Sequence, residues 1–182
     1  MHTLAKNTHH NIRLIQFCLQ KAYPEGGITV ERLIADNLVN GTQVAELAIS
    51  RTSGIPMDSI GYGMDLEDGS DVKTTTVQCK TNKTWLIKNK VRTGKYNVQT
   101  QHCAVVTKIA NKIGLLRVIS YNPFTDKTHF LLIPKSVHEK LKVIKISFSK
   151  ITGEIIGIYK QYEVPDWNAL CARCDYTIQK YK

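Results

Sequence analysis

An α/β chain of the α+β kind, with helices first and strands after, is predicted by three observations. Up to Ser50 the apolar residues recur at helical spacing, with capping residues ahead of them and glycine or proline behind. Beyond Met64, β-branched and alternating runs take over, separated by turn dipeptides. The length of 182 residues suits one domain with a full hydrophobic core. We read residues 1–182 as a single domain, with a helical part at 1–50, a sheet core at 61–134 that carries the chemistry, and a hairpin and helix at 135–182.

In chain order, Asn7 or Thr8 is expected to cap a helix with Ile12, Ile15, Leu19 and Ala22 on its apolar face, beside Leu14 and Cys18, ending before Pro24. Thr29 caps a second helix from Val30 to about Leu38, and Thr42 a third, Gln43 to Ser50, that carries Val44, Leu47 and Ala48 with Glu46 in its middle. Arg51 to Gly63, punctuated by glycine and proline and without apolar period, reads as loop. Ala104-Val105-Val106 is a continuous apolar run, expected for a central strand covered on both faces. Leu115–Tyr121 and Thr128–Ile133 flank a turn at Asn122–Asp126 and read as a hairpin. Lys142–Phe148 and Glu154–Tyr159 read as another. Short helices are expected after Ser136 and, capped by Asp166, through Trp167 and Leu170.

The stretch from Asp65 to Lys80 carries the chemistry. Asp68-Gly69 is a strong hairpin signal and Val72, Thr74, Thr75, Thr76 and Val77 are β-branched, so two antiparallel strands joined by a tight turn are expected. Asp71 and Lys73 then project from one face, roughly 7 Å apart along the strand, while Val72 points into a core. Asp65 joins them only if the loop is odd, a bulge intervenes or the strands diverge, because a loop of two or four residues sets Leu66 opposite Asp71. Two carboxylates beside an ammonium can hold a divalent metal and position water against a phosphodiester.

The order Glu46, Asp65, Asp71-Val72-Lys73 resembles the PD-(D/E)xK nuclease superfamily, in which a helix glutamate precedes an aspartate and an acid-x-lysine strand. The short gap from Asp65 to Asp71 is similar to that of the mismatch-repair nicking endonuclease and some small type II restriction endonucleases. The likeness runs from about Gly41 to Tyr121 and lacks a Pro-Asp dipeptide. Pro56-Met57-Asp58 is the nearest imitation, which makes Asp58 the alternative first acid. The resemblance implies a restriction-endonuclease-like fold with a mixed central sheet flanked by helices. It also implies magnesium as cofactor, with manganese expected to substitute, double-stranded DNA as substrate, and a homodimer. Asp65, Asp71 and the Val72 carbonyl would ligate the metal, Lys73 would orient the attacking water and help to deprotonate it, and Glu46 would be the helix acid, with Glu31 a weaker competitor.

Charge agrees with a polyanionic partner: the formal net charge is +10 and the pI about 9.4. Lys83, Lys88, Lys90, Arg92 and Lys95 fall within thirteen residues interleaved with Trp85, Tyr96 and asparagines, the composition of a DNA-contacting loop or helix. We take Lys80, Lys88, Lys90, Arg92 and Lys95 as the DNA contacts. Five cysteines, an odd number, with no secretory signal ahead of them, point to free thiols in a reducing cytoplasm. Cys171 and Cys174 form one CxxC without a partner pair, better read as buried thiols than as zinc ligands. No apolar run is long enough for a membrane span, and no phosphate-cradling glycine loop suggests a nucleotide cofactor. Type II restriction is the first reading. Nicking, junction resolution or homing on the same scaffold is the second, and a non-catalytic basic DNA binder the third.

Overall fold

The computed structural model describes residues 2–35, 41–58, 65–107 and 114–172. Among the described residues the chain is α+β, with two four-stranded sheets flanked by helices. Three helices come first: α1 (His2–Ala22), α2 (Val30–Ala35) and α3 (Gly41–Ser53). The strands are β1 (Asp71–Thr76), β2 (Gln78–Lys88), β3 (Val91–Thr107), β4 (Leu116–Asn122), β5 (Lys127–Ile133), β6 (Val143–Phe148), β7 (Ile155–Ile156) and β8 (Glu163–Val164). Two short helices, α4 (Lys135–His138) and α5 (Trp167–Cys171), and a 3-10 turn at Ile158–Tyr162 complete the elements among the described residues. Among the described residues no helix is long and apolar enough to cross a membrane.

The first sheet runs β1-β4-β5-β8 and is mixed, since β1 pairs parallel with β4 while the other pairs are antiparallel. The second runs β2-β3-β6-β7 and is antiparallel throughout. Side-chain alternation along β4 divides the interior into two cores. Ile119 and Tyr121 join Val72 and Phe130 beneath α1, α3 and α5, whereas Leu116 and Val118 join Ala104, Ile144 and Ile146 between the sheets. The first sheet is therefore a middle layer, with helices on one face and the second sheet on the other.

Local sequence accounts for much of this. Leu14, Cys18 and Ala22 recur every four residues and are all buried on α1, against the Ala45, Ala48 and Ile49 stripe of α3. Phe17 meets Phe130 at 5.8 Å and Trp167 at 5.6 Å between ring centroids, tying α1 to β5 and α5. Thr29 Oγ1 accepts the Arg32 N–H and Asp166 Oδ1 the Ala169 N–H, so these two expected caps form, whereas Thr42, expected to cap the third helix, lies within it.

Several expectations are corrected. The apolar stripe of α1 is rotated from the expected one, leaving Ile12 exposed, and the helix begins at His2, ahead of Asn7 and Thr8. Helix α3 continues through Ser53, so Arg51 to Ser53 are helical where loop was expected. The end of the second helix past Ala35 lies outside the described residues, as do Gly61, Tyr62 and Gly63.

The largest correction concerns the hairpin at Asp68-Gly69. The turn is present, with Gly69 at φ 83° and its N–H donating to Leu66 O at 3.0 Å. The described residues just before it, Asp65 to Glu67, do not form the expected strand: Leu66 makes one isolated bridge to Met57, and β1 takes β4 as its parallel partner, Asp71 opposite Leu116. A parallel partner more than forty residues away leaves no local trace. The segment expected as a DNA-contacting loop or helix is instead β2 and the first half of β3. These form a two-stranded ribbon in which every residue from Gln78 to Thr100 is exposed.

Candidate active site

Among the described residues strand β1 ends the first sheet; of its polar side chains Asp71 is buried and Lys73 partly exposed. Val72 is wholly buried among the helices, which fixes the strand's rotation and sends Asp71 and Lys73 to the opposite face. Lys73 Nζ lies 2.8 Å from Asp71 Oδ2. Asp65 escapes the parity problem because the chain diverges before the turn. Its N–H donates to Ser70 O at 3.1 Å, and its Oδ2 accepts the Val72 N–H at 2.6 Å. The carboxyl groups of Asp65 and Asp71 come within hydrogen-bond reach of each other.

Charge crowding is the physical signature of this corner. Burial, the Asp65 carboxyl and its charge together push Asp71 up to about 7, against the opposing pull of Lys73. Glu46, on the face of α3 that meets β1, is likewise pushed up to about 7, by burial first and then by Asp65, with Lys73 opposing and Asp71 adding. Each of the four side chains thus belongs to one electrostatic unit. Asp58 is not among the charges acting on Glu46 or Asp71; its backbone N–H donates to Asp65 O at 3.0 Å, bracing the first acid. Glu31 is lowered by hydrogen bonds at its own helix start, first from its backbone and then from Thr29, and has no part in the cluster.

A divalent cation fits this donor set. Asp71 Oδ2 is shielded from solvent and has no aligned hydrogen-bond donor, its contact with Lys73 being an ion pair off hydrogen-bond geometry. Two hard oxygen donors set side by side, with Asp71 pushed up by burial and by its neighbour, suit a magnesium ion. Glu46 stands further off: Glu46, Asp65 and Asp71 are not all within 4.8 Å of one another by their donor atoms, whereas His129, Glu154 and Glu163 are.

The latter trio was not legible from spacing, because His129 and Glu163 meet only through the pairing of β5 with β8. His129 Nδ1 lies 2.7 Å from Glu163 Oε1. Lys127 and Lys160 are at 2.7 Å from Glu154 and 2.6 Å from Glu163, so charges within the protein already balance both glutamates.

The corner is anchored by Arg117, which sequence reasoning passed over inside the apolar run LLRVISY. Its side chain is fully buried. Nε donates to Ser70 Oγ at 3.1 Å and an Nη to Asp68 Oδ2 at 2.9 Å. The other Nη donates to the carbonyls of Leu170 and Ala172. Burial raises the Asp68 carboxyl, but hydrogen bonds from Ser70 and Arg117 outweigh it and hold the group below its ordinary value. Arg117 therefore ties the turn that delivers Asp71 to the end of α5.

The basic residues lie on the ribbon. No aspartate or glutamate occurs from Val72 to Thr125, and Lys80, Lys88, Lys90, Arg92 and Lys95 all stand on the exposed two-stranded part. Asn89 and Lys90 form its tip with φ of 52° and 63°, the backbone of a turn in which Asn-Gly is favoured. A lysine in that position costs about 1 kcal/mol and places a cation at the far end. Trp85 and Tyr96 pack edge to face across the ribbon at 5.8 Å, with Lys83 over one ring and Arg92 over the other. His102, at the ribbon's root, stacks on Phe124 at 4.0 Å, as a structural histidine would.

Cys18, Cys79, Cys103 and Cys171 are free thiols. Burial pushes Cys18 and Cys171 up to about 12, which disfavours the thiolate that zinc would need from Cys171; Cys174 lies outside the described residues. No family model, curated protein or solved structure matches the chain.

Proposed function

We propose that the chain is a magnesium-dependent endonuclease that hydrolyses phosphodiester bonds of double-stranded DNA. In this reading it is a type II, sequence-specific enzyme on a PD-(D/E)xK-like scaffold, working in a reducing cytoplasm. The observation that carries the reading is the gathering of Asp65, Asp71 and Lys73, with Glu46 in electrostatic range, at one sheet edge. Asp65, Asp71 and the Val72 carbonyl would hold magnesium, or manganese in its place, which supplies positive charge against the phosphate and makes water more acidic. Lys73 orients the attacking water and steadies charge that develops on the phosphate oxygens. Glu46, with a proton affinity near neutrality, suits acceptance of a proton from that water. Lys80, Lys88, Lys90, Arg92 and Lys95 neutralise DNA phosphates. One such site serves one strand, so cutting both strands of a palindrome calls for a homodimer with two-fold symmetry.

Supercoiled plasmid incubated with magnesium or with chelator tests this reading. Discrete fragments that appear only with the metal are the expected result. Nicked circles alone would move the assignment to a nicking or junction-type enzyme. Binding without cleavage in magnesium or manganese would leave a DNA-binding protein.

A further inference from the structure

We infer that the β2–β3 ribbon is a two-faced arm that reads base edges in the major groove of B-form DNA through its amide face, with Asn82, Asn97 and Gln99 as specificity-determining residues. The inference rests on double-stranded DNA being the substrate, and it adds the surface and the chemistry by which sequence is chosen. Directly opposed residues of an antiparallel pair share a face. The register therefore sorts the ribbon into two unlike surfaces. One holds Lys83 with Val98 and Trp85 with Tyr96, and it is occupied with itself through the aromatic contact and the Lys83 stack.

The other face pairs Asn82 with Gln99 and Thr84 with Asn97, with no apolar side chain among the four. All are exposed, and among the described residues the three amides make no side-chain hydrogen bond. Nearer the root, Gln101 on this face is held instead, donating to Ser147 Oγ and accepting from Lys145, both at about 2.7–2.8 Å. The ladder thus begins anchored and continues with unspent donors and acceptors.

An isolated two-stranded ribbon is marginal in water, so an arm exposed on both faces implies a partner. Its complete lack of acids together with its cations makes that partner a polyanion. The ribbon extends roughly 30 Å at the rise of a β-strand, close to one turn of duplex, and a two-stranded ribbon has the width that the major groove admits. The deep, narrow major groove of A-form RNA does not admit it. Asparagine and glutamine pair bidentately with the N6 and N7 edge of adenine, so the selected site contains A·T pairs where the amides reach. Aromatic stacking on the opposite face stiffens the arm, which lowers the ordering cost of binding.

Selection of bound duplexes from a randomised pool, in calcium so that binding is read without cleavage, tests the inference. Three proteins are compared: the full chain, the Asn82→Ala/Gln99→Ala variant and the Lys88→Ala/Lys90→Ala variant. The full chain is expected to enrich an A·T-containing sequence. The amide variant is expected to bind random duplex within about three-fold of the full chain while losing roughly ten- to hundred-fold of its discrimination. The lysine variant is expected to bind all sequences more weakly, with a shallower salt dependence. Enrichment of an unchanged sequence by the amide variant overturns the inference, as does a full chain that enriches no sequence or prefers duplex RNA. So does a ribbon that pairs two copies of the chain, seen as dimers that Ile87→Ser dissociates without DNA. Because selection does not depend on cutting, a full chain that selects sequence but never cleaves would sink the nuclease reading alone.

Discussion

Asp71→Asn is expected to lower the rate of magnesium-dependent DNA cleavage at least about a thousand-fold, a loss of ~4 kcal/mol of transition-state stabilisation. The substitution keeps the shape of the side chain and removes one of the two acids that would hold the cation. It also leaves Lys73 without the carboxylate now 2.8 Å from its Nζ. Folding should not suffer, because the charge removed is one that burial and Asp65 already disfavour. Lys73→Ala is expected to lose roughly a hundred- to ten-thousand-fold, as for removal of a positioned acid–base group. Glu46→Gln should lose less, about ten-fold, since Glu46, Asp65 and Asp71 do not all lie within ligand spacing of one another. Single-turnover rates on a linear duplex measure all three. A rate within a few-fold of wild type for Asp71→Asn would rule out this corner as the cleavage site.

Arg117→Met is expected to destabilise the protein by about 3–5 kcal/mol, the usual result of removing one partner from a buried ion pair. The guanidinium has no exposure and satisfies Asp68, Ser70 and two carbonyls at the end of α5. Methionine fills similar volume and donates nothing, so Asp68 keeps its Ser70 donors but loses its countercharge, and two carbonyls lose a donor. For a chain of this size the melting temperature should fall by roughly 6–20 °C. Arg117→Lys should not rescue, because a single ammonium cannot replace a planar fork that spans the turn and α5. Adding Asp68→Asn to Arg117→Met should recover part of the loss by removing the stranded charge. Scanning calorimetry of the four proteins checks this. If Arg117→Met melts within about two degrees of wild type, Arg117 does not hold the turn.

Asp71 and Lys73 were legible as neighbours because alternation in a short β-branched run dictates which side chains share a face, and Val72 had an obvious reason to turn inward. Their relation to Asp65 was not, since it depends on a chain divergence that no local rule specifies. The Asp68-Gly69 signal was read correctly as a turn and incorrectly as a hairpin. A turn dipeptide reports a reversal, while strand pairing is decided by partners such as β4 that lie far along the chain. The ribbon was missed for a different reason. A strand exposed on both faces has no apolar alternation to reveal it, so its lysines, amides and scattered aromatics looked like loop or helix. Arg117 hid in the opposite way, inside an apolar strand where a charged residue is expected to face water, although an arginine in a buried run is itself a signal of a paired charge.

If Asp65 and Asp71 hold a cation with Lys73 and Glu46 in electrostatic range, the effect of magnesium on thermal stability should depend on pH. In the metal-free protein Asp71 and Glu46 sit at about 7, above the ~4 of an unfolded chain. Between those values the native state binds more protons than the unfolded one. The two groups therefore favour folding at low pH, and that contribution is lost as pH rises through about 7. A cation competes with those protons, so magnesium should raise the melting temperature strongly at about pH 8 and little at about pH 5. At a hundred-fold excess over its dissociation constant, magnesium adds about 2.7 kcal/mol, or roughly 5–11 °C. Asp71→Asn should abolish the shift. A magnesium shift that is the same at both pH values, or that survives Asp71→Asn, would mean that these acids do not hold the cation.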